Sequence, residues 1–373
     1  MIATGTAMST SSIPATASDD VRLSVVIPLY NKEGQIVRAL DSVCAQTVRD
    51  FEVVVVDDGS TDGGAALVQA YGDPRVRLLR QPNGGVSSAR NLGVEAARCP
   101  VVAFLDADDT WYPDHLERLW RLRLEYPQAV GWATNYEVAS PDGRRTPGVS
   151  SETAPRVVLT PANYYRIALQ GSPVCSSAVM VDKAALANVG GFPVGVRLGE
   201  DLDTWIRLMF TGPIVFDPKP GACYHADGDD RALNRHAPPA RYRFFETGEA
   251  WRRAHPEAVQ VGADMEEFHN FFRISHAHHQ IKYGDKFAGR SVLKGVQTQV
   301  FADERRRLLR MSLMPQALYQ GLTRLKRALR PPPGAAATDS AFDSTLDSTL
   351  GATPAAAAGT ATAPGKPAAR VYP

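Results

Sequence analysis

Three carboxylates follow one apolar run, because Val101-Val102-Ala103-Phe104-Leu105 leads straight into Asp106-Ala107-Asp108-Asp109. Like charges this crowded repel one another unless protons or a cation offset them, and carboxylate oxygens suit a hard divalent ion such as Mn2+ or Mg2+. A cation held by Asp108, with Asp106 beside it, would bridge the two phosphates of a sugar nucleotide and stabilise the departing diphosphate. A second acidic group, Glu200-Asp201-Leu202-Asp203-Thr204-Trp205, follows Gly199 and starts a helical pattern. An inverting transfer needs one carboxylate on the acceptor side to take the hydroxyl proton as that oxygen attacks. Asp201 is assigned that role, with Glu200 next to it on the acceptor side. Trp205, one helical turn on, either stacks against an acceptor sugar or fills core. His225 is a candidate further ligand for the cation through an imidazole nitrogen.

Two more constellations have the character of binding sites. Ser24-Val25-Val26-Ile27-Pro28-Leu29-Tyr30-Asn31 and Val53-Val54-Val55-Val56-Asp57-Asp58-Gly59-Ser60 are apolar runs that each end abruptly in polar turn residues. Polar groups at strand carboxyl ends are where open α/β sheets bind ligands. A carboxylate such as Asp58 can accept a hydrogen bond from the N3–H of uracil, a donor that cytosine lacks at that atom. The stretch from Pro82 to Asn91 is a glycine turn running into a helix, whose free N–H groups and Arg90 guanidinium are anion-binding features.

The elements that must carry these residues alternate. Strands are predicted at Leu23–Leu29, Glu52–Val56, Val76–Leu79 and Val101–Leu105, separated by helices from Glu33, after Asp62 and from Gly85 to Arg98, with another opened by Pro113. Strands this apolar are expected to be covered on both faces, which defines an α/β fold with a mostly parallel central sheet. Between Thr134 and Leu159 the Ser, Pro, Gly and charge content predicts an irregular hairpin region or loop. Helices near Pro161–Gln170, Lys183–Val189 and Glu200–Phe210 and a strand at Ser177–Val181 continue the α/β body. After about Pro238 the pattern is helical only, with Phe268, Phe271, Phe272 and Ile274 on one stripe. The expected organisation is a leader at 1–21, a catalytic domain at 22–237, a helical extension at 238–330 that becomes basic toward its end, and a disordered Ala/Pro/Thr-rich tail at 331–373.

The 373-residue chain balances 41 basic against 40 acidic side chains, so no global field recruits nucleic acid and no nucleic-acid partner is expected. Its four cysteines lack CxxC spacing, which argues against a zinc knuckle and fits reduced thiols in a cytoplasmic protein. No apolar stretch reaches the roughly 18 to 20 residues of a membrane span. The arginine-rich segment 305–330 is a candidate peripheral contact with the anionic inner face of a membrane.

In order and spacing the four constellations resemble the family 2 glycosyltransferases of GT-A fold, over about Leu23 to Phe216. The resemblance implies that Pro28, Tyr30 and Asp58 contact the nucleoside and that Arg90 lies near the nucleotide. It implies that Asp106 and Asp108 form the DxD motif with Asp108 as the direct metal ligand, and that Asp201 is the base of an inverting reaction. By the same analogy the donor is a UDP-sugar, the acceptor is a glycan or lipid-linked glycan, and the pathway is surface-polysaccharide or glycoconjugate assembly. One departure is the segment after Tyr224-His225, which is acidic through Asp227, Asp229 and Asp230 where the family commonly carries further basic or aromatic residues. Two other readings compete. Asp106-Ala107-Asp108-Asp109-Thr110 also fits the DxDxT nucleophile motif of haloacid-dehalogenase-like phosphohydrolases, although that motif usually opens its domain and here two strand-helix units precede it. A non-catalytic nucleotide-sugar-binding protein on the same fold would have no need of Asp201.

Overall fold

The computed structural model describes residues 22–141, 143–149, 156–226, 237–315 and 318. Four parallel strands form its first half: β1 (Leu23–Leu29), β2 (Phe51–Asp57), β3 (Val76–Arg80) and β4 (Val101–Phe104), ordered β3-β2-β1-β4. Successive side chains on a strand face opposite ways. Val25, Ile27, Val53 and Val55 therefore pack on one side with Ile36, Leu40 and Val43 of α1 (Ile36–Cys44), Val68 of α2 (Gly64–Gln69) and Leu116 and Leu119 of α4 (His115–Glu125). Val26, Val54 and Val102 face the other way, onto Ala89 and Val94 of α3 (Val86–Ala96). The near-continuous apolar strands are thus covered on both faces, as their composition predicts.

The second half of the sheet is mixed. Beyond β4, the order continues through β9 (Val179–Asp182), β6 (Gly131–Ala139), β10 (Ile214–His225) and the short β5 (Thr110–Trp111). β9 runs antiparallel to both β4 and β6, and β10 runs parallel to β6. The segment read as an irregular hairpin or loop holds more strand than expected. β6 turns back into β7 (Arg145–Pro147), and β8 (Val157–Leu159) pairs with β10. Polar residues hid β6: Asn135 is buried but exchanges hydrogen bonds with the Val149 backbone at 2.9 and 3.0 Å, so its polarity is satisfied inside.

Helices α5 (Pro161–Ala168), α6 (Lys183–Asn188) and α7 (Glu200–Met209) complete the α/β body. Thr160 and Asn163 form a capping box ahead of Pro161, which sets the start of α5. Four helices follow: α8 (Arg243–Ala254), α9 (Val259–Tyr283), α10 (Lys286–Gly295) and α11 (Ala302–Met311). Phe244, Phe245, Phe268 and Phe272 of this segment share one apolar core with Tyr164, Tyr165, Trp205 and the sheet. The rings of Tyr165 and Phe268 meet edge-on with centroids 5.6 Å apart. A smaller core of Ile274, Ile281, Leu293 and Leu308 holds the last helices together.

In α11, Arg305 donates to the Leu293 carbonyl at 2.7 Å, Arg306 pairs with Asp303 and Arg307 pairs with Glu304. Two of the four arginines in the described part of the basic segment thus pair with acidic side chains of their own helix. Residues 316–317 and 319–330, the expected leader and the expected tail lie outside the described residues. Among the described residues no helix is long and apolar enough to cross a membrane.

Candidate active site

The loops after β1, β2 and β4 meet the N-termini of α3 and α7 at the carboxyl ends of the parallel strands. After β1, Tyr30 is exposed and Pro28 is half-buried, and Asn31 adopts a left-handed conformation (φ 51°). Asn31 accepts from the Thr61 N–H at 2.8 Å and donates its own N–H to Ser60 at 3.1 Å, which ties the first loop to the second. Asp58 is 3% exposed and already bonded. Its carboxylate accepts from Gln81 Nε2 at 2.6 Å and from the N–H groups of Gly84 and Gly85 at 2.8 Å each. The structure thus gives Asp58 a job the sequence did not show: it pins the glycine turn at the start of α3.

The acidic loop after β4 is held from three sides. Ser177, in the 3-10 turn before β9, accepts from the Asp106 N–H at 3.1 Å, donates to the Asp109 carboxyl, and offers its carbonyl to Trp111 Nε1 at 2.6 Å. Asp109 is fully buried and also accepts from the His225 N–H at 3.0 Å. Burial first, and then the charges of Asp108 and Asp106, push its carboxyl well above the ordinary carboxylate range. It acts as a structural strut, leaving Asp106 and Asp108 as the solvent-reachable pair. Lys32 Nζ sits 2.8 Å from Asp108 Oδ2, and Arg38 donates to the Asp108 carbonyl at 2.7 Å.

Asp201 lies in the first turn of α7, one residue after Glu200. Gly199 caps that helix in a left-handed conformation (φ 77°), and a Cβ there would stand 2.9 Å from the Tyr242 ring. Arg90 joins this helix to the acidic loop. Its side chain is 3% exposed and donates to Asp106 Oδ1 at 2.7 Å and to Glu200 Oε1 at 3.1 Å, with its guanidinium 5.3 Å from the Phe192 ring. Burial opposes its charge, but Asp106, Glu200 and Asp201 more than offset that and raise its pKa. Burial, with the Asp201 charge, lifts Glu200 to about 7 against the pull of Arg90. Asp201 is raised as well, again chiefly by burial.

Two sequence expectations are addressed here, and a third residue gains a role. Trp205 is fully buried, with Phe192 5.4 Å and Phe104 6.1 Å from its ring, so it is core rather than a stacking platform. The helical turn that aligns it with Asp201 also turns it inward. Asp203, given no role, is fully buried and binds Arg207 at 2.8 Å, Arg243 at 3.3 Å and Thr247. It ties α7 to α8. His225 lies at the edge of the acidic loop, but its Nε2 is 3.0 Å from the Thr110 hydroxyl. Among the described residues no three His, Cys, Asp or Glu side chains converge to hold a metal, so Asp106, Asp108 and His225 do not form one ligand set.

The residues nevertheless fit a divalent cation of the Mn2+ or Mg2+ type. Such an ion uses one or two carboxylates and takes its remaining oxygens from phosphates and water. Asp108 already pairs with one cation, the Lys32 ammonium. Lys32, Arg38 and Ser177 were not singled out in the sequence, because each meets the acidic loop across some seventy residues of chain.

A mixed α/β sheet, parallel in its first half, that brings a carboxylate pair at the end of β4 to the raised carboxylates at the start of α7 is a GT-A-like arrangement. Residues 24–189 match the glycosyl transferase family 2 model. Similar solved structures include S. aureus TarS 1–349 in complex with UDP-GlcNAc, at a TM-score of 0.56 and 21% identity over 80% of this chain and 92% of that one. That likeness concerns the fold. Similar curated proteins include an uncharacterized glycosyltransferase of Rickettsia felis, 32% identical over 190 residues that cover 51% of this chain and 30% of that protein. Another is the succinoglycan biosynthesis protein ExoW of Rhizobium meliloti, 45% identical over 120 residues that cover 30% of this chain and 37% of that protein. The matches thus span about a third of these relatives' own lengths.

Proposed function

We propose that this chain is an inverting glycosyltransferase that moves a sugar from a nucleotide-diphosphate donor, a UDP-sugar, to a hydroxyl of a glycan or lipid-linked acceptor in polysaccharide or glycoconjugate assembly. The observation that carries the reading is the bridge through Arg90. One buried guanidinium spans Asp106 on the donor side and, 110 residues from Arg90 in the chain, Glu200 beside Asp201 on the acceptor side. A protein that only bound the nucleotide would have no use for a carboxylate of raised pKa across from the diphosphate. The order of elements also disfavours the phosphohydrolase, since Asp106 follows the fourth strand of the chain and pairs with Arg90.

In this mechanism Asp201 takes the proton of the acceptor hydroxyl. The hydroxyl oxygen attacks the anomeric carbon from the face opposite the diphosphate, and the carbon–oxygen bond to the diphosphate breaks with inversion. A base whose pKa is raised by burial accepts that proton more readily than an ordinary carboxylate. Lys32, Arg38 and the N-terminal N–H groups of α3 offset the charge on the leaving diphosphate. Bound at Asp108 with Asp106 adjacent, Mn2+ or Mg2+ supplies further neutralisation of that diphosphate. The UDP preference rests on the UDP-GlcNAc bound by TarS and on the polar β1 and β2 loops around Tyr30.

The test is a donor screen following UDP or GDP release, with manganese or magnesium and with chelator, on the full chain and on Asp201→Asn. Release from a UDP-sugar that is lost on chelation and falls at least about a hundredfold in Asp201→Asn, with UDP binding retained, is expected. Turnover undiminished in Asp201→Asn would remove the base assignment. Binding of UDP-sugars without transfer or hydrolysis for any donor would leave a non-catalytic binder.

A further inference from the structure

A cavity of about 520 Å3 lies between the loop that leads into α7 and the start of the helical segment, with Arg197, Leu198, Arg241, Tyr242, Arg243 and Glu246 in its wall. It lies on the side of the chain that leads into the base. Leu198 is three residues from Asp201, so their backbones lie within about 11 Å of each other. Arg243 is held by Asp203, two residues beyond Asp201 on the same helix.

Three guanidinium groups face one carboxylate in that wall. Arg241 is occupied by Glu246 at 3.4 Å and Glu249 at 2.7 Å. Arg243 spends only its Nε on Asp203, which leaves both terminal nitrogens without a partner among the described residues, and its side chain is 54% exposed. Arg197 is exposed and has no ion pair or hydrogen bond among the described residues. The fully buried Asp203 therefore holds one guanidinium, and a second arginine with no partner among the described residues lines the same cavity. Paired forks of this kind match the oxygens of a phosphate or a carboxylate. A neutral glycan would leave them unmatched.

We infer that this cavity is an anion subsite for the acceptor, taking a phosphate or carboxylate group carried near the hydroxyl that is glycosylated. The inference rests on the transferase reading, and it makes the helical segment part of acceptor selection. It also links acceptor binding to the base through Asp203.

The experiment measures binding to the full chain of methyl glucoside 6-phosphate, methyl glucuronide and uncharged methyl glucoside by saturation-transfer NMR and calorimetry, with UDP binding measured on the same samples. Arg197→Gln is the main variant, because its exposed side chain supports nothing else in the fold; Arg243→Gln is the second. At least one charged probe is expected to bind about tenfold or more tighter than the neutral one, with that margin lost in Arg197→Gln while UDP binding stays within about twofold. Whichever charged probe wins identifies the group as phosphate or carboxylate. Equal binding of charged and neutral probes, or a charged-probe affinity untouched by both substitutions, would overturn the subsite while leaving the transferase reading intact. Charged-probe binding that depends on Arg197 in a chain that binds no UDP would overturn the acceptor role.

Discussion

Replacing Arg90 by methionine keeps most of the side-chain volume and removes the buried cation that faces both acidic groups. Asp106 and Glu200 would then be left without the partner they hold at 2.7 and 3.1 Å. Removing one member of a buried ion pair typically costs about 3–5 kcal/mol. Asp106 is 31% exposed and can recover hydration, whereas Glu200 is 12% exposed and cannot. The lower end, about 3 kcal/mol, is therefore expected at alkaline pH. The loss should depend on pH in a definite sense. Glu200 in the folded protein titrates at about 7, above its ordinary value of 4.5, so the folded state holds its proton more tightly than the unfolded state. Stability attached to this group is fully present below 4.5 and is lost as pH rises through 7, by about 3 kcal/mol in all. Arg90 limits that loss by favouring the charged form. Without it the folded-state values of Glu200 and Asp201 climb further and the decline extends to higher pH. Arg90→Met should thus be mildly destabilised near about pH 5 and severely near about pH 8. Urea unfolding of both proteins at the two pH values measures this directly, and the rising limb of the pH–rate profile should move alkaline in step. An equal loss at both pH values, or a loss below about 1 kcal/mol near about pH 8, would refute the electrostatic bridge.

Two further outcomes follow from single contacts. Lys32→Met removes the ammonium 2.8 Å from Asp108, so manganese should bind the nucleotide-free protein about three- to tenfold more tightly by calorimetry; weaker or unchanged binding would separate Asp108 from the cation site. Gly93→Ala places a methyl group against Val26, forcing α3 away from β1, and should cost about 1–3 kcal/mol in urea unfolding while lowering activity through Arg90 one turn earlier; full stability would show that the helix does not pack that closely.

By itself the sequence determined the four parallel strands in the first half of the sheet and the polar ends that make a site, but not β6 to β8. Periodicity and turn chemistry are local properties, so β1 falls where the run Leu23–Leu29 predicts, and Asp106, Asp108 and Asp201 come to strand and helix ends. It did not determine how those ends are wired together. Arg90 spans Asp106 and Glu200, Lys32 meets Asp108, Ser177 braces Asp109, and Asp203 reaches α8, all across gaps of 16 to 110 residues. Such pairings depend on which strands become neighbours and in what register, which no window of local sequence contains. The same holds for burial. Trp205 and Asp58 carry residue types that suit a ligand, but the tertiary structure turns one into core and engages the other in holding the glycine turn. Local chemistry supplied the candidates; packing over the whole sheet decided which of them face the reacting groups.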